Sequence, residues 1–365
     1  MEQRQTELER WARARIGERL AIDQADVVVE QISGDASFRR YFRVSVSSLS
    51  SPASLSPESF VVADAPPEKE DSRRFTRIAE LFRQAGVTVP EIYATDYAQG
   101  FLLLQDFGNE LYLSRLLAER DQLSNQVDDL YHRAIAALIK LQKKADTASL
   151  DPYDGLLLRR EMSLFHDWFC GRLLAMTLDK REQTLIEETF AFLEHQALSQ
   201  PVVAVHRDYH SRNLMIPDTS EQNTDSVPAI LDFQDAVAGP YTYDLVSLLR
   251  DCYIVWSPEQ VSRWSREYLQ LAHAAGVLTG VDETLFRRDF DLMGLQRHLK
   301  VIGIFSRLAI RDGKPQYLAD IPLVINYLLT VADGYQEMKP FATWFRDRVL
   351  SAAREHLPGG ETCAP

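Results

Sequence analysis

The sequence predicts an α+β chain in two lobes: a small N-terminal lobe built on a mixed sheet and a larger, mainly helical C-terminal lobe. Three observations predict it. Short β-rich runs crowd the chain before residue 107, long helical periodicities fill it afterwards, and two brief strand-like runs inside the helical part each end in polar residues. Apolar patterning that switches in this way marks a change of layer. A length of 365 residues suits two such bodies at roughly 100–200 residues each. The expected division is 1–107 and 108–358.

Residues 2–20 have the spacing of an amphipathic helix. Val27 to Ile32, Phe38 to Val46 and Phe60 to Ala63 carry the β-branched and aromatic residues of strands. SGDAS (33–37) has turn composition, and SSLSSPASLSPES (47–59), rich in Ser and Pro, reads as a mobile hairpin loop. Residues 70–85 predict a helix stopped at Gly86 with Pro90 beyond. Phe101 to Gln105 is a buried strand, and the chain near 105–110 is the hinge. Helical periodicity then runs over 111–119, 124–145, 157–176 and 180–198. Val202 to Val205 and Ala229 to Asp232 are strands, with a polar loop over 217–228 between them. Helices resume over 243–256, 258–274, 284–309, 318–335 and 341–354, and PGGETCAP at the end reads as frayed.

Composition narrows the function. Net charge is −13, which disfavours nucleic acid as a partner. No apolar run reaches the roughly 18 residues of a membrane span. MEQRQTELERWARARIGERL is too charged for a signal peptide. Cys170, Cys252 and Cys363 follow no metal-ligand spacing and read as free thiols of a cytoplasmic protein. A small-molecule substrate and a monomer are the expectations.

The chemistry sits where a strand breaks. VVAVHRDYHSRNLMI turns from four apolar residues to His206, Arg207, Asp208, His210 and Asn213, and AILDFQDA places Asp232 and Asp235 some 19 residues further on. Phosphoryl transfer needs these groups: a carboxylate for the proton of the attacking hydroxyl, and an amide and a second carboxylate for Mg²⁺. His-Arg-Asp followed by Asn five residues after the Asp, then Asp-Phe, is the kinase pattern. Asp232-Phe233-Gln234 keeps the Asp and Phe of Asp-Phe-Gly and lacks the Gly. Either motif alone could be turns and caps; two in register, each after a β-run, point to catalysis.

On these motifs the chain resembles the aminoglycoside phosphotransferase and choline kinase family, a branch of the protein-kinase-like fold, over nearly its whole length. HRDYHSRNLM is similar to that family's catalytic loop and LDFQDAVAGPYTYDLVSLLRD to its metal segment; Gly239, Pro240, Asp244 and Leu245 match. GDASFRRYFRV, VADAPPEKED and LQRHLKVIGIFSRL narrow the resemblance to bacterial kinases that phosphorylate N-acetylmuramate and N-acetylglucosamine at the anomeric hydroxyl during peptidoglycan recycling. The resemblance implies ATP and Mg²⁺, with Asp208 catalytic and Asn213 and Asp232 on the metal. Asp244 is expected to fix the loop and its helix rather than touch substrate.

One departure matters. FVVADAPPEKED puts Ala63 and Asp64 where a kinase strand carries its phosphate-binding Lys. Lys69, Arg40 and Arg43 are the candidate replacements. Ser33, Gly34 and Ser37 could cover the phosphates with small side chains and backbone N–H groups. Gln105 and Phe107 would offer backbone groups to the adenine. On the acceptor side His210 is either a pocket or a structural histidine, and Asp235 could hold a second metal or a sugar hydroxyl. Arg297 and Lys300, with Arg307, either snorkel or line the pocket for an anionic sugar. Trp168 and Trp256 could stack on a sugar. A kinase for an aminoglycoside or choline, and a nucleotide-binding pseudokinase, remain the alternatives.

Overall fold

Four apolar residues in a row, Phe101 to Leu104, need cover on both sides. In the computed structural model, which describes residues 2–21, 27–32, 38–46, 59–120, 125–218 and 227–357, they form β5 (Phe101–Gln105) inside a five-stranded sheet. Its order is β1 (Val27–Ile32), β2 (Arg40–Val46), β3 (Ser59–Asp64), β5, β4 (Ile92–Asp96). Phe101 and Leu103 share one face with Phe42, Val44, Phe60 and Val62, and α1 (Glu2–Leu20) covers it with Leu8, Ala12 and Ile16. α2 (Ser72–Ala85) is fixed at both ends. Asp71 accepts from the N–H groups of Arg73 and Arg74, and Gly86 (φ 80°) turns the chain out.

Two details differ from expectation. Every pairing in the sheet is antiparallel, not mixed: β1/β2, β2/β3 and β4/β5 are consecutive strands that fold back on one another, and β5 returns against β3 after α2 and β4. β4 was not foreseen: IYATD presents no apolar face, and none of its residues is fully buried.

The chain divides into two compact units. The first is Met1–Glu110 with Met215–Gln234, the second Leu111–Leu214 with Asp235–Pro365. A single boundary at 107/108 has no place for the returning segment. Within the first unit that segment is held by the Ile230 N–H on the Thr88 carbonyl, 2.8 Å. The Phe233 ring packs against Phe75 at 4.8 Å and Phe82 at 5.9 Å.

The second unit contains α3 (Tyr112–Glu119), α4 (Gln126–Lys144), α5 (Gly155–Leu164), α6 (Lys180–Leu198), α7 (Tyr243–Leu249), α8 (Pro258–Ala275), α9 (Glu283–Arg311), α10 (Ile321–Asp333) and α11 (Lys339–Trp344). α9 runs through its core, against α5, α6, α7 and α10. Its central residues, Phe290 to Gly303, are all buried, as a helix surrounded by others must be. α5 crosses it at Gly303, where a Cβ would come 2.3 Å from the Leu164 carbonyl carbon. Trp256 is not a sugar platform: its indole N–H donates to the Tyr131 hydroxyl at 2.6 Å, inside an aromatic cluster with Trp264. Trp168 lies under Arg172, 4.6 Å from guanidinium to ring. No helix among the described residues is long and apolar enough to cross a membrane.

Candidate active site

Val202–Val205 is a strand because Val237–Pro240 pairs with it, Val237 opposite Val205 and Pro240 opposite Val202. Gly239 in that partner lets Tyr153 approach; a Cβ there would sit 2.8 Å from the Tyr153 Cβ. The strand stops at Val205, and the next eight residues are tied one by one.

Asp244, buried in the first turn of α7, accepts the His206 N–H at 2.6 Å and the Arg207 N–H at 2.9 Å. That holds Arg207 at φ 80°, a conformation side chains adopt at a cost. The Arg207 side chain donates to Glu161 and to the Asp235 carbonyl. Asp251 accepts from the Ser211 N–H and hydroxyl and from the Tyr253 N–H. The helix expected over 243–256 stops at Leu249, with Arg250 out of helical conformation, and Asp251 lies just beyond that stop. The Asn213 side-chain nitrogen donates to the Asp208 carbonyl at 3.0 Å, so its oxygen is the atom left for a cation.

Asp208 is half-buried on this loop. Burial alone would raise its pKa. The positive charges of Lys300, Arg297 and Arg207 outweigh that and hold its carboxyl well below the usual range. Lys300 and Arg297 are both buried on α9, but their surroundings differ. The Lys300 ammonium lies 3.3 Å from Glu161 and donates to the Tyr243 hydroxyl at 2.8 Å. Glu161 is thus shared by Lys300, Arg207 and the Tyr153 hydroxyl. Arg297 lies over the Tyr243 ring at 5.7 Å and has no ion pair among the described residues. A buried guanidinium without a carboxylate partner is costly and suits an anionic ligand. His210, buried against Tyr253, has an Nδ1 without a hydrogen-bond partner. Burial lowers its pKa and keeps the ring neutral. Asp235 is exposed.

The first unit holds the other motif. Asp232 is exposed, with φ 58°. Gln234, where a kinase has Gly, donates its side-chain amide to the Asp232 carboxylate at 2.8 Å, and its backbone carbonyl accepts from Arg74 at 2.8 Å. The Asp232 carboxylate in the first unit and the Asn213 amide oxygen in the second are each a hard oxygen donor of the kind Mg²⁺ takes. Among the described residues no group of three or more His, Cys, Asp or Glu forms a closed metal cage.

Several expected nucleotide residues are placed otherwise. Arg43 closes the turn at 106–109 through Asp106, Asn109 and the Gly108 carbonyl. Arg40 is bound to Asp64. Lys69 is exposed and lies over the Phe38 ring at 4.5 Å. The Gln105 N–H goes to the Glu91 carbonyl and the Phe107 carbonyl accepts from the Asp218 N–H, so neither of these two groups is left for a base. Ser33, Gly34 and Ser37 lie outside the described residues, as do Cys363 and most of the expected 47–59 loop. Glu161, Asp251 and Gln234 were missed: each is an ordinary residue in its own stretch, and its partner lies elsewhere on the chain.

A His-Arg-Asp loop locked by a buried acid, with a second strained aspartate after a later strand, defines a kinase-like phosphotransferase. The comparisons agree, and the chain belongs to the phosphotransferase enzyme family (APH), which it matches over residues 28–280. A relative from Pseudomonas putida, an N-acetylmuramate/N-acetylglucosamine kinase, is 44% identical over 306 residues, 84% of each chain. One of the same name from Neisseria meningitidis is 39% identical over 93% of this chain and 94% of its own. Among solved structures, a choline/ethanolamine kinase family protein from Mesorhizobium loti aligns with TM-score 0.57 at 13% identity, covering 95% of this chain and 99% of that one. The ADP-bound aminoglycoside phosphotransferase APH(2'')-Ib aligns with TM-score 0.52 at 15% identity, covering 86% and 95%. These likenesses show the fold.

Proposed function

We propose that the chain is an ATP- and Mg²⁺-dependent sugar kinase that phosphorylates the anomeric hydroxyl of N-acetylmuramate and N-acetylglucosamine. The relatives' names support the sugar class. The observation that carries the reading is Asp208, kept ionised by Lys300 and Arg297, with Arg297 itself in no direct ion pair among the described residues. N-acetylmuramate brings a lactyl carboxylate; N-acetylglucosamine does not.

Asp208 accepts the hydrogen bond of the acceptor hydroxyl and takes its proton as the new O–P bond forms and the bond to the departing diphosphate breaks. His210 Nδ1 orients a sugar hydroxyl. Asn213 and Asp232 would hold Mg²⁺, which when bound neutralises charge on the phosphates. Gln234 keeps the Asp232 carboxylate turned, and Glu161 fixes Lys300 and Arg207. A pseudokinase would have no chemical use for an ionised Asp208 between two buried cations.

The test is incubation with Mg-ATP and each of N-acetylmuramate, N-acetylglucosamine, choline and an aminoglycoside, read by ³¹P NMR. An anomeric sugar phosphate is the expected product. Phosphate on choline or the aminoglycoside alone, or no transfer at all, refutes the reading.

A further inference from the structure

Nucleotide phosphates call for a cation, and the third strand does not bring one. β3 ends in Ala63 and Asp64, both fully buried. Asp64 is an anion already matched by Arg4 at 2.6 Å and Arg40 at 2.5 Å, so the polarity of a kinase strand is inverted here. Arg43 serves the 106–109 turn and Lys69 sits on the surface.

Arg39 differs from these. It is 5% exposed and pairs at 2.8 Å with Glu70, itself 15% exposed, just ahead of α2. Glu70 also accepts the Phe38 N–H at 3.3 Å, so it grips both the backbone before β2 and the guanidinium. The Arg39 guanidinium faces the Phe75 ring at 5.6 Å, and Phe75 packs on Phe233, the neighbour of Asp232. Burial pushes the Tyr41 hydroxyl up to about 12, and the charges of Arg39, Asp232 and Glu70 all act on it.

Resting on the kinase reading above, we propose that Arg39 is the cation that meets the nucleotide's phosphates and that Glu70 positions it. The pair replaces the lysine of the strand and the glutamate of the helix. A guanidinium presents a planar fork of donors suited to two phosphate oxygens. Glu70 keeps the buried charge neutralised until phosphate arrives.

Calorimetric titration of the purified full chain with Mg-ATP and with adenosine tests this. Arg39→Met is expected to weaken Mg-ATP binding about 10- to 100-fold, the range of a charge-assisted hydrogen bond, and to leave adenosine affinity unchanged. Arg39→Lys should restore part of the loss, and Glu70→Gln should weaken Mg-ATP less than Arg39→Met does. Unchanged Mg-ATP affinity in Arg39→Met, equal loss for adenosine, or a loss found in Lys69→Met instead overturns the assignment. If circular dichroism shows Arg39→Met unfolded, Arg39→Lys and Glu70→Gln decide: wild-type affinity in both overturns it. A wild-type chain that binds no Mg-ATP refutes the kinase reading itself, and this assignment falls with it.

Discussion

At the scale of residues, Asp208 and Asn213 stand out as candidates because their chemistry is written locally, in one eight-residue stretch. Asp208→Asn should lower turnover by about 10²–10⁴, the usual range for losing a general base, with the circular dichroism spectrum unchanged. The cations on α9 were legible only as charges on an apolar helix; burial and partners separate them. Arg297→Met should reduce kcat/KM for N-acetylmuramate about 10- to 100-fold more than for N-acetylglucosamine, which has no carboxylate and loses only the charge beside Asp208. Lys300→Met strands Glu161 and removes charge beside Asp208, so it should harm both sugars alike. Assaying both sugars on the same preparations separates the two roles; equal loss for both in Arg297→Met would remove it from acceptor selection. Arg39, Glu70, Glu161, Asp251 and Gln234 were not legible. Their significance is a distance to another part of the chain, which no local pattern encodes.

Among elements, sequence reading succeeded where periodicity was strong and ends were marked. β5 and α6 fall where FLLLQ and the run 180–198 place them, α6 with Asp179 and Glu182 as a capping box. It failed for elements defined by neighbours. β4 and Val237–Pro240 are strands because β5 and Val202–Val205 lie beside them. The crossing of α5 and α9 is of this kind, since nothing in VIGIF announces that Gly303 must be bare. Gly303→Ala should cost about 1–3 kcal/mol, the typical range for overpacking a core, seen as a Tm lowered by several degrees. An unchanged Tm would mean that the helices part freely there.

Across the whole molecule the acidic composition says little about stability, because the titrations that count are buried. His298 is buried and stacked on Tyr327 at 5.4 Å. Burial, with Arg250 and Arg297 nearby, holds its pKa well below 6.5. His210 is shifted the same way, burial first. A histidine whose folded pKa is depressed contributes stability that is fully present above its unfolded value and is lost as pH falls. Below about pH 6.5 the unfolded chain takes up protons that the folded one refuses, at about 1.4 kcal/mol per pH unit for each such histidine. Urea denaturation between pH 7.5 and 5.5 should show this loss, and His298→Asn should flatten it. A slope unchanged by that substitution would show that His298 charges without unfolding.

Gln234 has a consequence for control. A glycine after Asp-Phe would leave that segment free to rotate; here a side chain bolts it down. To swing Asp232 away, the chain would have to break the amide bond to its carboxylate, release Arg74 from the Gln234 carbonyl and lift Phe233 from between Phe75 and Phe82. Switching by order and disorder needs a segment with two arrangements of similar free energy, and this one is anchored at three consecutive residues. The aspartate is a fixture, not a gate, so output should follow the supply of sugar and nucleotide rather than an on–off setting of this segment.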